Sequence, residues 1–377
     1  MRKADAIVIG GGIAGLSLAA RLADRVNVIV LEAESQPGYH ASGRSVAFAH
    51  YGLGETIVRT LTALSLLEFR AMEGPSGAPI TRALPALHIA REDQGDLLDE
   101  LAEVHERFGA DYEILQDQAI LEFAPALNVG PDAAHRAILD RGSLALDTDA
   151  MLGRHAADLR ARGGALECGA KVVSIAQAGD LWSVETGLGS FQSPLVINAA
   201  GAWADEIARL AGVPPIGLEP RRRTVIGFTA PDGVDVSGWP FIKTVGEGFY
   251  TLPEGRSRLL ASYMDQTPSA PCDAAPEELD IAIAADRIIN ATTLEIRRIE
   301  HSWAGLRSFA PDELPVVGEA SKAAGFIWYA GQGGYGFQTS AALARIGESV
   351  ALNEAWPQDI QAAGISPAHL SPARFEA

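Results

Sequence analysis

The chain has 377 residues, of which 47% are hydrophobic, so it is long enough for one large domain or two closely packed domains. Its formal net charge of −18 argues against nucleic-acid binding, which requires a concentrated basic surface. The two cysteines, Cys168 and Cys272, cannot build a disulfide framework and belong to no Cys/His spacing typical of a metal site. No apolar run reaches the roughly 18 residues that a membrane span needs. We therefore expect a cytoplasmic protein, or one at the surface of the inner membrane, with no metal and with both cysteines buried or half-buried.

The first 32 residues contain a dinucleotide-binding pattern. A short apolar strand leads into Gly10, Gly12 and Gly15, which have the spacing G-x-G-x-x-G, and a helical segment follows. These glycines permit a tight turn, let the backbone approach a pyrophosphate, and let helix and strand pack closely. A second apolar run, residues 26–31, ends at Glu32, where a carboxylate can bind the ribose hydroxyls of an adenosine. Strand, turn, helix, second strand and acid together make a specific signal.

Helices and strands follow in alternation along the rest of the chain. Apolar spacing predicts helices over residues 53–73, 96–108, 147–162 and 281–289, and residues 331–340 open a last long helix. Strands are predicted at 84–90, 195–198, 300–308 and 326–330, with further strands between 222 and 264. Four short segments, 165–168, 171–176, 182–186 and 191–193, are typical of a β-meander. The sheet that begins at residue 5 is completed late in the chain, so we expect interleaved domains.

Several segments resemble the D-amino-acid oxidase superfamily of FAD-dependent enzymes. They are residues 5–20, 37–45, 196–203, 301–308 and 331–339. Their order over nearly the whole length makes the resemblance specific, and within the superfamily the chain is most similar to the D-arginine dehydrogenases.

This resemblance implies an α/β fold, α+β overall, in two interleaved domains. A Rossmann-like FAD-binding domain is expected at 1–45, 145–215 and 305–377. A substrate-binding domain built on a large, mainly antiparallel sheet is expected at 46–144 and 216–304.

The resemblance also implies FAD, and it carries a set of cofactor-binding residues onto this sequence. They are Gly10, Gly12, Ala14, Gly15, Glu32, Ala33, Ser42, Arg44, Ser45, Val173 (through its backbone, beside the adenine), Ala200, Gly201, Trp203, Arg307, Gly333, Gly334, Tyr335, Gly336, Phe337, Gln338 and Thr339. A glycine-rich loop before a helix leaves N–H groups free, and these could stabilise negative charge on a reduced flavin. Some members tether the flavin to a cysteine near the position of Arg307. This chain has none there, so the flavin is expected to be noncovalent.

The substrate site implied by the resemblance centres on Arg223 and Arg307. An arginine side chain matches a carboxylate with two parallel hydrogen bonds. An internal ion pair is the alternative role for each arginine. The remaining expected groups are Tyr51 and Tyr250, which support the carboxylate, His50, which could tune the protonation of the amine, and Phe48, Ala86, Gly334 and Gln338, which line the pocket.

Two departures from the D-arginine dehydrogenases bear on specificity. Ala86 stands where those enzymes have an acid for the cationic substrate, and Phe48 replaces a histidine in a loop that is two residues shorter. We therefore expect oxidative deamination of a neutral or hydrophobic D-amino acid, with a quinone, an electron-transfer protein or oxygen as electron acceptor. The alternatives are a glycine or sarcosine type of amine oxidase, a 2-hydroxyacid dehydrogenase, and a non-catalytic flavoprotein subunit of a larger complex.

Overall fold

The computed structural model describes residues 1–375. The strands are β1 (Arg2–Lys3), β2 (Ala6–Ile9), β3 (Val28–Leu31), β4 (Phe48–Ala49), β5 (Thr81–Ala83), β6 (Ala86–Ala90), β7 (Tyr112–Gln116), β8 (Arg136–Asp140), β9 (Leu144–Leu146), β10 (Ala165–Glu167), β11 (Val172–Ala178), β12 (Leu181–Thr186), β13 (Gly189–Ser193), β14 (Leu195–Asn198), β15 (Glu219–Thr229), β16 (Phe241–Thr244), β17 (Tyr250–Glu254), β18 (Arg258–Ser262), β19 (Thr267–Pro268), β20 (Ile299–Phe309), β21 (Val316–Glu319) and β22 (Phe326–Ala330). The α-helices are α1 (Ile13–Leu22), α2 (Thr56–Phe69), α3 (Gly95–Arg107), α4 (Thr148–Ala161), α5 (Ala204–Leu210), α6 (Glu278–Ala291), α7 (Gly336–Ala351), α8 (Gln358–Ala362) and α9 (Pro367–Leu370).

Six strands form a sheet in the order β10-β3-β2-β14-β22-β21. All neighbours in it are parallel except β21, which runs antiparallel to β22. A parallel sheet covered on both faces requires continuous apolar strands, and every residue of β2, β3 and β22 is buried. Helices α1, α4 and α7 share a core on one face, and the strands β11 to β13 share a core with α5 on the other. The Rossmann-like α/β unit expected from the sequence is confirmed.

The second large sheet has the order β20-β15-β18-β17-β16-β6-β8-β7, with the short strand β19 also paired to β15. Only the pair β16–β6 is parallel, so the mainly antiparallel sheet is confirmed. Side chains alternate between its faces. One face carries Ile226, Phe228 and Ile242, which share a core with helix α6. The opposite face contributes side chains to a large cavity.

The predicted helices agree with the structure to within a few residues, and Asp147 caps α4 by accepting the Ala150 N–H at 2.8 Å. The predicted meander needs one correction. Strands β11, β12 and β13 are antiparallel neighbours, but β10 pairs in parallel with β3. Since β10 follows α4, that helix forms the crossover that a parallel strand needs.

One predicted domain boundary falls inside a paired strand. Strand β20 stays hydrogen-bonded to β15 from Ile299 to Phe309, across the boundary expected at 304/305. Arg307 is therefore presented by the substrate sheet. Among residues 1–375, none of the helices combines the length and the hydropathy needed to cross a bilayer.

The packing of α1 against the first strand yields a prediction about Gly15. A Cβ at Gly15 would lie 2.0 Å from the Gly10 carbonyl oxygen, so Gly15→Ala should lower the free energy of unfolding by about 1–3 kcal/mol. Gly153, inside α4, is the matched control because its Cβ would meet nothing closer than 3.5 Å. Gly153→Ala should raise stability by about 0.5–1 kcal/mol. Urea unfolding measures both effects, and equal stability of the two variants would contradict this account.

Candidate active site

A cavity of about 1000 Å³ is lined by residues from both sheets. This volume is at the upper end of the range for small-molecule sites. Its wall includes the turn after β2, the end of β3, the loop over residues 38–47, the cavity face of the second sheet, and residues 305–309 and 332–338. The cavity therefore joins the glycine-rich turn to the face of the substrate sheet.

The glycine-rich turn has the geometry of an anion site. Gly10 has φ +113°, and a Cβ there would lie 2.4 Å from the Ala199 carbonyl oxygen. Ser42 Oγ accepts the N–H of Ile13 at 2.9 Å. The N–H groups of Gly12 and Ala14 have no acceptor among residues 1–375. Free N–H groups at the positive end of α1 suit a pyrophosphate.

Glu32 is held in place at the end of β3. One of its carboxylate oxygens accepts the Gly11 N–H at 2.7 Å, and the other accepts the Glu34 N–H at 2.8 Å. Each oxygen retains acceptor capacity, and Glu32 and Ala33 both lie on the cavity wall. This carboxylate is therefore oriented to accept hydrogen bonds from two ribose hydroxyls.

Arg44 lies on the wall, but its charge is compensated inside the protein. Its guanidinium forms an ion pair with Asp273 and donates to the carbonyls of Ala274 at 2.7 Å and Ala304 at 3.1 Å. The expectation that Arg44 lies along the pyrophosphate is thus modified, because the side chain ties residues 273–274 to β20. Ser45, Ala200, Gly201 and Trp203 also line the cavity.

Two of the sequence-based expectations differ from the structure at the cofactor end, those for Thr339 and Cys272. Gly15 packs α1 closely against the first strand, as expected, whereas Thr339 is buried behind the wall and donates to the Tyr335 carbonyl at 2.8 Å. The Val173 side chain is 59% exposed, residues 171 and 172 line the cavity, and the contact of the Val173 backbone with an adenine stays a prediction. Cys272 is exposed at the cavity, whereas Cys168 is half-buried as expected.

The loop before α7 brings the cofactor side and the substrate side together. A Cβ at Gly334 would lie 2.8 Å from Arg307 Nη1, so a larger residue there would displace the guanidinium. The N–H groups of Gly334, Gly336 and Phe337 have no acceptor in the described chain. Gln338 donates to Thr62 Oγ1 at 2.8 Å, while its Oε1 is buried without a partner. These unpartnered groups line the cavity and fit a polar cofactor edge, as do Gly333 and Tyr335.

Arg223 on β15 pairs with Gly305 on β20, and Arg307 is the next residue of β20 on the same face as Gly305. Arg223 and Arg307 are therefore diagonal neighbours on one face of the sheet. Arg223 Nε donates to the Asp265 carbonyl at 2.8 Å and lies 3.5 Å from its carboxylate, so the internal ion pair exists for this arginine. The Arg307 guanidinium lies on the cavity wall and has no hydrogen bond or ion pair within residues 1–375. Burial, and then the charge of Arg307, lowers the pKa of Arg223 to about 9, and burial also lowers the pKa of Arg307.

The two tyrosines expected at the clamp occupy different places. Tyr250 lies on the cavity wall, and its hydroxyl is buried with no hydrogen-bond partner in the described chain. Tyr51 lies off the wall, with its ring stacked on Phe108 at 5.3 Å and against His105 at 5.4 Å. The structure therefore removes Tyr51 from the predicted clamp, because the chain turns toward α3 before it enters α2.

His50 lines the cavity as a neutral imidazole. Burial, followed by the charge of Lys243, holds its pKa well below the ordinary value. Its Nδ1 accepts the Gly52 N–H at 3.1 Å, so the proton of the neutral ring is on Nε2. His50 can therefore donate one hydrogen bond to a ligand.

Ala86 lies behind the cavity wall. It is fully buried in a cluster with Phe48 and Phe241, whose rings stack at 4.2 Å, and it is absent from the cavity lining. The expectation that residue 86 faces the substrate is wrong, because two aromatic rings fill that space. The argument from Ala86 for a neutral substrate loses its basis.

Sequence reasoning missed Lys243, the neighbour of Phe241 on the same strand. Lys243 is 9% exposed, lines the cavity, and donates only to the Thr244 carbonyl, at 2.9 Å. Burial, followed by the charges of Arg223 and Arg307, lowers its pKa to about 8. A lone lysine within an apolar strand was the available signal. No group of three His, Cys, Asp or Glu side chains in the described part of the chain is arranged for a metal ion.

The position of Ala86 gives a direct test. Ala86→Glu places a carboxylate in a site that is 0% exposed, so we expect a loss of several kcal/mol of stability and no gain of activity on D-arginine. Thermal unfolding and kcat/KM for D-arginine are the measurements. A stable variant with new D-arginine activity would show that residue 86 reaches the substrate.

Comparison with known proteins identifies the family of this chain. The family model "FAD dependent oxidoreductase" (DAO) matches residues 5–347. Mitochondrial dimethylglycine dehydrogenase of Mus musculus is 25% identical over 362 residues, which cover 89% of this chain and 40% of that protein. The chain spans 30–40% of the length of the mammalian dimethylglycine dehydrogenases it matches.

Two solved structures share the fold over nearly their whole length. L-proline dehydrogenase from P. horikoshii has a TM-score of 0.83 at 19% identity, over 100% of this chain and 98% of that one. Glycine oxidase from Geobacillus kaustophilus also has a TM-score of 0.83 at 19% identity, over 99% of both chains. The cofactor is FAD, as the family match implies, and it fits the glycine-rich turn, the Glu32 carboxylate and the unpartnered N–H groups before α7. Because the family model matches residues 5–347, the chain belongs to the DAO family of FAD-dependent oxidoreductases.

Proposed function

We propose that this enzyme oxidises the Cα–N bond of a D-amino acid to give an imino acid. The imino acid then hydrolyses to a 2-oxo acid and ammonia. The observation that carries the proposal is the Arg307 guanidinium, a half-buried cation on the cavity wall with no hydrogen-bond or ion-pair partner in the described chain. A buried charge without a counter-ion is costly, and a substrate carboxylate would provide one. FAD supplies the hydride acceptor, at its N5 atom.

The clamp residues would orient the substrate. Arg307 and Arg223 lie on one face of the sheet and can bind the two oxygens of an α-carboxylate, while the free Tyr250 hydroxyl donates a further hydrogen bond. On the opposite side, the Gly334 carbonyl and Gln338 Oε1 would accept from the amine. Orientation of the Cα–H bond by these contacts should supply much of the rate.

The electrostatics of the cavity favour a neutral amine. Arg223, Arg307 and Lys243 place positive charge around the substrate, which lowers the pKa of a nearby ammonium group. His50 does not serve as proton acceptor in this proposal, because its free ring nitrogen Nε2 already carries the proton. The amine would therefore release its proton to solvent on binding, without a dedicated base.

An N-methylated glycine is the second candidate substrate. The match to a protein named dimethylglycine dehydrogenase covers 89% of this chain, and such substrates carry the same carboxylate. Anaerobic mixing of the holoenzyme with D- and L-amino acids, glycine, sarcosine, dimethylglycine and 2-hydroxy acids separates these classes through bleaching of the flavin absorbance. We expect D-amino acids to reduce it fastest. If none of these compounds reduces the flavin, the result would support a non-catalytic flavoprotein. For a compound that does reduce it, a peroxide assay in air tests oxygen as the electron acceptor.

Arg307 provides the matching mutational prediction. Arg307→Met should cost about 3–5 kcal/mol of transition-state binding, seen as a fall in kcat/KM of about two to four orders of magnitude with FAD content unchanged. Arg256→Met, at an exposed surface ion pair with Asp235, is the control and should retain full activity. Activity of Arg307→Met within tenfold of the wild type would remove Arg307 from the clamp.

A further inference from the structure

Lys243 is a third cation at the substrate end of the cavity. It lies directly opposite Tyr250 on the neighbouring strand, so its side chain stands on the same face of the sheet as the Tyr250 ring. It also borders a second, small cavity of about 70 Å³, whose lining includes Arg59, His88 and Glu100.

The charged groups around Lys243 leave it uncompensated. The side chains that bear most on it are cationic: Arg223, Arg307 and, from helix α2, Arg59. His50 and His88 are neutral because burial holds the pKa of each well below the ordinary value. Glu100 is exposed and makes no ion pair with Lys243 within the described residues. Of these three cations on the cavity wall, Arg223 alone has an ion pair with a carboxylate in the described chain, that of Asp265.

The net positive charge of Arg223, Arg307 and Lys243 is more than one substrate carboxylate can neutralise, even with Asp265 beside Arg223. An α-carboxylate bound by Arg307 and Arg223 would leave Lys243 without a counter-ion in a site that is largely closed to water. A buried ammonium group without a partner is unfavourable, so the arrangement favours a ligand with a second negative group.

We propose that the substrate is an amino acid with a second carboxylate, bound through Lys243 while the α-carboxylate is bound by Arg307 and Arg223. The stacked rings of Phe48 and Phe241 provide an apolar wall beside Lys243, suited to the methylene groups between the two carboxylates. This inference rests on the proposed function and specifies its substrate class. It replaces the neutral side chain expected from Ala86.

Pairs of substrates that differ only in charge test the inference. We will compare kcat/KM for aspartate with asparagine, and for glutamate with glutamine, in both enantiomers, for the wild type and Lys243→Met. We expect the wild type to prefer the acid over its amide at least tenfold. Lys243→Met should remove that preference, because its kcat/KM should fall at least tenfold more for the acid than for the amide. Lys322→Met is the matched control, because Lys322 is exposed and off the cavity wall.

The pH dependence gives an independent readout. Lys243 is charged below a pKa of about 8, so the ratio of kcat/KM for acid over amide should be constant at low pH and fall as the pH rises through about 8. The α-amine pKa differs between an acid and its amide, but this difference is the same for the wild type and Lys243→Met. The wild-type ratio divided by the ratio for Lys243→Met therefore isolates Lys243, and this quotient should be constant at low pH and fall through about pH 8.

Binding without turnover separates failure of this inference from failure of the proposed function. Succinate and its monoamide, succinamate, are nearly isosteric, and perturbation of the flavin spectrum reports the Kd of each. We expect succinate to bind at least tenfold more tightly than succinamate to the wild type and to lose this advantage in Lys243→Met, even if no amino acid is oxidised. An amide preferred over its acid, or an equal loss for all substrates in Lys243→Met, would overturn the assignment and indicate that Lys243 acts on the flavin.

Discussion

Positive charge concentrated in a low-dielectric cavity is the constraint on which the rest of the site depends. Arg223, Arg307 and Lys243 come from three strands of one sheet, and alternation of side chains sends all three to the same face. The other face is apolar and packs on helix α6. Partly desolvated cations lower the free energy of unfolding, and a bound anionic ligand raises it again.

The cofactor site and the substrate site share a packing contact. Gly334, in the loop before α7, lies so close to the Arg307 guanidinium that an added Cβ would be 2.8 Å from Nη1. Arg44 makes a second connection, from the loop near the pyrophosphate site to Asp273 and to the backbone of β20. Orientation of a substrate Cα–H bond toward a flavin requires such fixed geometry, because small misplacements are costly in rate.

Much of the fold could be predicted because its signals are local. The G-x-G-x-x-G turn needs Gly10 for a positive φ and Gly15 for close packing, so the spacing itself reports the geometry. Helix limits follow from apolar periodicity and caps such as Asp147. Strand pairing is not local, because the partner strand can lie far away in the sequence. Local pattern therefore places residues 165–168 in the meander, whereas in the structure β10 lies at the edge of the parallel sheet.

The sequence by itself determined the dinucleotide turn, the two kinds of sheet and the candidate arginines, because each depends on residue type and spacing along one segment. Only the tertiary structure decided which side chains reach the cavity. Tyr51 packs against Phe108 and Ala86 is buried with Phe48 and Phe241, whereas Lys243 lines the cavity. Side-chain direction on a strand has a period of two, but which face becomes the cavity is set by packing between distant segments.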